Sequence, residues 1–243
     1  MTRREAILRE MGLTPIWVNR ANVGEAPVAA LSAPVLIAAP EPAPEPAQST
    51  ADREAVIAKL SWDELIASIA TCTACKLCKT RTNTVPGVGD RTPSWMVIGE
   101  APGENEDKQG EPFVGKAGQL LDAMLLAVGK KRGDGVYIAN VIKCRPPGNR
   151  NPEPDEIAVC APYLSRQIAL AQPKLLLASG KFAAQTLLNC DDTVGAMRAL
   201  PAAVSERDSI PVVVTYHPSY LLRSPLEKAK AWDDLMKAKA RVP

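Results

Sequence analysis

The chain has 243 residues, 46% of them hydrophobic, which is enough to bury one good core. No apolar run approaches the roughly 20 residues of a membrane span, and the opening Met1-Thr-Arg-Arg-Glu5 lacks the apolar stretch of a secretion signal, so a cytoplasmic protein is the expectation. In a reducing compartment, six cysteines at short spacings point to metal ligation or buried thiols, and a net charge of +2 leaves any nucleic-acid role to local basic clusters.

Residues 2–12 have the spacing of a short amphipathic helix, with Ile7, Leu8 and Met11 on one side and Gly12 as its stop. Alone it is too short to be stable. Residues 21–50 turn Ala/Pro-rich, which favours extended polyproline geometry and reads as a linker. Residues 1–50 are therefore expected to be a flexible N-terminal extension. Its sharper reading is a tethered helix around residues 7–17 that docks on a protein partner. Residues 51–243 are expected to hold the folded domain.

Within that domain Ser61-Trp-Asp-Glu64 has the form of a capping box and starts a helix. Residues 95–99, 136–141, 174–178 and 211–215 are continuously apolar strands. Helical spacing occupies residues 117–128 with Gly129 as stop, a stretch opening at Pro154, residues 180–188, and a basic closing stretch over 225–240. Alternation of buried strands with helices predicts a parallel sheet covered on both faces, with the functional loops (99–115, 140–152, 180 onward and 216–224) on one edge.

The stretch Met96-Val-Ile-Gly-Glu-Ala-Pro-Gly103, running on to Pro112-Phe-Val-Gly115, delivers a carboxylate-rich loop to that edge. Gly110-Glu-Pro-Phe-Val-Gly-Lys116 has phosphate-loop spacing, but Ala117 stands where a magnesium-binding Ser or Thr is required, and the strand ends too early to feed such a loop. Cys72-x2-Cys75-x2-Cys78 begins like a ferredoxin run, yet Thr82 occupies the fourth position. Cys144 and Cys160 supply two further thiols, and spacing alone leaves zinc and an iron-sulfur cluster both open. Cys190, at a helix end, reads as a small buried apolar residue. His217, the only histidine, and Asn140 both follow a strand at the expected site edge, and the Asn140 amide can donate and accept toward a planar base. Lys143, Arg145, Arg150 and Arg223, with Arg81 and Arg91 earlier, form the basic loops, which suit phosphates.

Cys72-Thr-Ala-Cys75, Gly99-Glu-Ala-Pro-Gly103, Pro112-Phe-Val-Gly-Lys-Ala-Gly-Gln-Leu-Leu121, Asn140-Val-Ile-Lys-Cys-Arg-Pro-Pro147 and His217-Pro-Ser-Tyr-Leu-Leu-Arg223 together closely resemble the family 4, iron-sulfur uracil-DNA glycosylases. The likeness covers about residues 60–240. It implies a three-layer αβα catalytic domain with a central four-stranded parallel sheet, acting as a monomer on uracil-containing DNA and leaving an abasic site. It also implies a 4Fe-4S cluster on Cys72, Cys75, Cys144 and Cys160. Cys78 and Cys190 match no family ligand.

Under the same resemblance, Phe113 and Gly99 line the base, Asn140 reads uracil, and His217 donates to O2. Glu100, with Glu106 and Asp107 nearby, positions water or favours a cationic sugar. Arg145, Asn149, Arg150 and Ser219 contact DNA, while Leu221, Leu222 and Arg223 fill the gap left by the flipped base. Ala101 and Gly103 replace the aspartate and tyrosine of family 1, as is usual in family 4. The basic, histidine-containing insertion of the covalently bonding relatives is lacking, so turnover without a stable adduct is expected. The competing expectation is a non-enzymatic iron-sulfur module that binds DNA beside replication or repair partners.

Overall fold

The computed structural model describes residues 50–200 and 209–242, so the expectations for residues 1–49 lie outside the described residues. The strands are β1 (Val88–Gly89), β2 (Trp95–Gly99), β3 (Val136–Asn140), β4 (Leu175–Ser179) and β5 (Val212–Thr215). The helices are α1 (Thr50–Ile57), α2 (Trp62–Ala70), α3 (Glu104–Gln109), α4 (Lys116–Ala127), α5 (Pro154–Ala171), α6 (Lys181–Leu188), α7 (Val194–Arg198), α8 (Pro218–Arg223) and α9 (Lys228–Arg241).

The sheet runs in the order β1-β3-β2-β4-β5. β2 pairs in parallel with β3 and β4, and β4 with β5, so the expected four parallel strands are present. The two-residue β1 adds an antiparallel edge on β3; it is too short to carry an alternating pattern. Every residue of β2, β3 and β4 is buried, as a sheet covered on both faces requires.

Side chains alternate between two cores. Trp95, Val97, Ile138, Leu177 and Val213 face α4 and α9 through Leu121, Leu125 and Leu235. Met96, Ile98, Leu176 and Val214 face α5, α6 and α7 through Leu164, Ile168, Ala184 and Met197. Outside α5, Ile57, Leu65 and Ile69 of α1 and α2 close on Tyr163. The Ser61 amide donates to the Glu64 carboxylate at 2.8 Å, which starts α2 as its sequence predicts.

Two six-residue helices differ from expectation. α3 interrupts what reads as a loop over 99–115, and α8 replaces the expected loop over 216–224. The closing helix is preceded by a 3-10 turn, Pro225–Glu227, and begins at Lys228. Among the described residues no helix is long and apolar enough to cross a membrane.

Candidate active site at the carboxyl edge of the sheet

Register decides what reaches the site. Gly99 pairs with Asn140, Ile98 with Ala178, and Ser179 with Thr215. The last residues of the four parallel strands, Asn140, Gly99, Ser179 and Thr215, therefore form one row turned toward the α4 face. Beyond this edge opens a cavity of about 620 Å³ whose lining includes Glu100, Glu106, Phe113, Asn140, His217 and Arg223. Asn140 is 2% exposed and its Oδ1 has no partner. A buried acceptor left this way is costly unless a ligand meets it. Gly99 makes the approach possible, because a Cβ there would stand 2.4 Å from that oxygen and 2.7 Å from the Phe113 ring.

Phe113 holds a left-handed backbone, φ 56°, unusual for a bulky side chain. Glu106 secures the following turn, its Oε1 accepting from the amides of Val114 at 3.0 Å and Gly115 at 3.3 Å. Those amides are the donors a phosphate loop would offer, so a carboxylate already fills that role. The other Glu106 oxygen lies 2.7 Å from where a Cβ on Gly103 would be, so Glu106 takes the volume a larger residue at 103 would fill.

His217 caps α8. Its Nδ1 accepts from the Ser219 amide at 3.2 Å and lies 2.7 Å from the Ser219 hydroxyl. A backbone N–H can only donate, so Nδ1 carries the lone pair and Nε2 carries the proton. Burial, seconded by the Arg223 charge and opposed by Glu106, depresses the imidazole pKa to about 4. The ring is thus neutral at physiological pH. It packs on Phe113 with centroids 5.4 Å apart and planes inclined 28°. Glu100, half-buried, has its carboxyl pKa raised by desolvation.

Several expected site residues lie elsewhere. Asp107 is 3% exposed and its carboxylate accepts from the amides of Thr82 and Asn83, fastening the chain after the cysteines; it does not reach the cavity. Leu221 is 1% exposed in the core under α8, whereas Leu222 is 43% exposed. Lys143 is fully buried, donating to the Asn140 carbonyl at 2.6 Å and to Gln167 at 2.7 Å, so it cannot meet a phosphate. Arg81 donates to the Cys144 sulfur at 3.0 Å, and Arg91 pairs with Asp63. Arg150 lies at the cavity but forks onto buried Glu156 at 2.9 and 2.6 Å. Arg145 holds Asn149 at 2.7 Å, and Asn149 and Ser219 both line the cavity. Lys181, Tyr216 and Asn151 also line it; they fall inside the loops expected at this edge without being singled out there. The adjacency of Lys181 to Gly180 and of Tyr216 to His217 was the available signal.

Cys72, Cys144 and Cys160 lie within electrostatic reach of one another, and Cys75 within reach of Cys72, Cys78 and Cys144. Burial raises the pKa of Cys75 and Cys144, and pushes Cys160 up to about 12. Cations surround the group: Arg81 at Cys144, Arg53 at 3.7 Å from Cys72, and Lys143 near Cys160. Cys78 turns to the Thr73 carbonyl at 3.9 Å, and Cys190 packs on the Met197 sulfur at 3.5 Å. Among the described residues, no group of three His, Cys, Asp or Glu side chains is arranged to hold a metal ion.

Comparison with known proteins identifies the family. The model of the uracil DNA glycosylase superfamily matches residues 86–236. A type-4 uracil-DNA glycosylase of Archaeoglobus fulgidus is 41% identical over 182 residues, covering 73% of this chain and 91% of that protein. The type-4 uracil-DNA glycosylase of Thermotoga maritima is 40% identical over 176 residues, covering 72% and 91%. A type-5 uracil-DNA glycosylase of Pyrobaculum aerophilum is 32% identical over 153 residues, covering 56% and 66%. With the superfamily match spanning most of the described fold and the type-4 proteins aligned over nearly their full length, the chain belongs to the uracil DNA glycosylase superfamily as a member of its type-4 family.

Proposed function

We propose that the chain is a monofunctional glycosylase that removes uracil from DNA by hydrolysing the N-glycosidic bond, the opening step of base-excision repair. The observation that carries the reading is the unpartnered Asn140 Oδ1 at the cavity floor, in a cavity also lined by a neutral His217 whose Nε2 bears the proton. Uracil offers an N3–H donor for that oxygen and an O4 acceptor for the amide nitrogen. Cytosine reverses both, leaving buried polar groups unpaired, which is a strong ground for rejection.

The target base must leave the duplex to enter the cavity. Phe113 stacks on it, and Glu106, lying over Gly103, sets its carboxylate where no bulky residue blocks the 5-methyl of thymine. As the C1′–N1 bond breaks, the bonding pair goes to the base, and His217 Nε2–H stabilises the charge gathering on O2. Glu100 orients water toward C1′ and takes its proton as the new C–O bond forms. Uracil then gains a proton from solvent, leaving an abasic site. Leu222 enters the vacated stack, while Arg223, Asn149, Ser219, Arg150 and Arg145 position the backbone.

Thiols on separate turns of the chain are a donor set that an iron-sulfur cluster takes. The ring of Arg53, Arg81 and Lys143 suits an anionic set, and Cys72, Cys75, Cys144 and Cys160 would hold the cluster. Thiolate ligation there would tie the residue 72–75 turn to Cys144, after β3, and to Cys160 within α5. We place the enzyme in the cytoplasm as a monomer, with residues 1–50 as the segment for a protein partner.

Purified protein incubated with a uracil-containing oligonucleotide and then alkali should break the strand at uracil, and Asn140→Ala should abolish most of it. Binding indifferent to uracil, with no cleavage by iron-replete protein, would instead support a DNA-binding module without catalysis.

A further inference from the structure

Phe113 needs explanation beyond its contact with the base. Its φ of 56° is a conformation that bulky residues seldom hold unaided, and the turn that contains it is exposed to the cavity. Two restraints come from the site side: Glu106 grips the amides of Val114 and Gly115, and Gly118 leaves room for the Phe113 carbonyl, which a Cβ would meet at 1.7 Å.

The third comes from the opposite end of α4. Between α4 and β3 the chain makes a tight turn, with Lys131 bridged to Asp134 and Gly133 at φ 79°. Arg132 projects from its corner. One guanidinium nitrogen donates to the Pro112 carbonyl at 2.8 Å, the other to the Phe113 carbonyl at 2.9 Å, and Nε is fixed by Asp122 at 3.0 Å. Arg132 does not itself line the cavity, and the lining residue it bonds is Phe113. A planar fork bonding two successive carbonyls dictates the orientation of the peptide between them, which a point-charge ammonium cannot do.

We propose that Arg132 is a positioning residue for the reaction, acting only through Phe113 by locking the peptide that aims its ring at the base. The proposal rests on the reading of Phe113 as the stacking residue. Asp122 belongs to the same device as the group that keeps the fork in plane.

The test is a double-mutant cycle on the full chain with its iron content matched, reading single-turnover rates and kcat/KM on a uracil oligonucleotide, with inhibition by free uracil as a readout of base binding alone. Arg132→Met should lower kcat/KM by about tenfold to a hundredfold, the cost of a small misplacement of a binding group, and weaken uracil inhibition in step. In a Phe113→Ala background the same substitution should change the rate by no more than about twofold, as expected when one residue acts wholly through another. Arg132→Lys, which keeps the charge beside Asp122 but not the fork, should lose activity with little change in melting temperature, and it carries the cycle if Arg132→Met does not fold. An equal loss in both backgrounds, or no loss in either Arg132 variant, would overturn the brace. Full activity of Phe113→Ala would overturn the stacking reading itself, a separate result.

Discussion

His217 divides its work between two nitrogens. Nδ1 caps α8 and the protonated Nε2 belongs to a ring that lines the cavity, so one side chain fixes both a helix end and a proton. Removing it as His217→Ala should slow the single-turnover rate by about 10²–10³, the usual loss of one oxyanion-type donor, and cost about 1 kcal/mol of stability through the lost cap. His217→Asn should restore the melting temperature without restoring the rate. The pH response separates two residues. With its pKa near 4, His217 stays neutral, so the rate should hold level from about pH 8 to 6, and the acid limb should follow the raised pKa of Glu100. Glu100→Gln should be slow with that limb removed. Stability follows the histidine. Its folded pKa lies below the unfolded value near 6.5, so this contribution is complete above that pH and is lost as pH falls toward 4, with a slope of at most about 1.4 kcal/mol per pH unit. Denaturant titrations of wild type and His217→Asn across that window should differ in this slope. Asn140 was legible because it closes an apolar strand, and His217 because it follows one by two residues. Glu106 and Asp107 stand side by side in an acidic run, and nothing in the sequence says that one turns to the cavity and the other to the amides of Thr82 and Asn83.

At the scale of elements, α8 places adjacent leucines on opposite duties. Leu221→Ala should cost about 2–5 kcal/mol, as a buried leucine does, whereas Leu222→Ala should leave the melting temperature unchanged while raising KM on duplex DNA more than on single strands. Equal behaviour of the two would contradict their placement. Helix α4 carries its own constraint at Gly118. Gly118→Ala puts a methyl 1.7 Å from the Phe113 carbonyl, so both thermal stability and uracil excision should fall, although alanine is the better helix former elsewhere. Neither α3 nor α8 announces itself in the sequence. Six residues make fewer than two turns, and α8 starts on a histidine cap in place of the usual Ser, Thr, Asp or Asn. Long helices and buried strands were legible because their apolar spacing repeats. The two-residue β1 had no repeat to read.

For the whole molecule, Cys144 lies on the same segment after β3 as the cavity-lining Pro146 and Asn149. Cys144 comes four residues after Asn140, and Lys143 between them bonds the Asn140 carbonyl, so the thiol region and the strand that ends in Asn140 share a backbone. Protein purified without oxygen should be brown with about four irons per chain, and removing the iron with chelator should lower the melting temperature together with excision. Colourless, fully active protein holding stoichiometric zinc would contradict the cluster. The four parallel strands and their layers were readable from the alternation of apolar runs with helical spacing. Which cysteines draw together came only from the family resemblance and not from spacing, because that depends on how α2, the residue 72–75 turn and α5 meet in space.

The row of strand ends at Asn140, Gly99, Ser179 and Thr215 ties the active site to a phase as well as to a place. Insert one residue into β3 and the amide swings from the α4 face to the α5 face, among side chains with no use for it. Descendants of this chain are free to lengthen the loops beyond the carboxyl edge, and residue types along the strands can drift. Residues inserted between these positions and the core-facing side chains before them must come in pairs, so the family's divergence should be recorded in its loops while each of the four keeps an even spacing from Val97, Ile138, Leu177 or Val213 in its own strand.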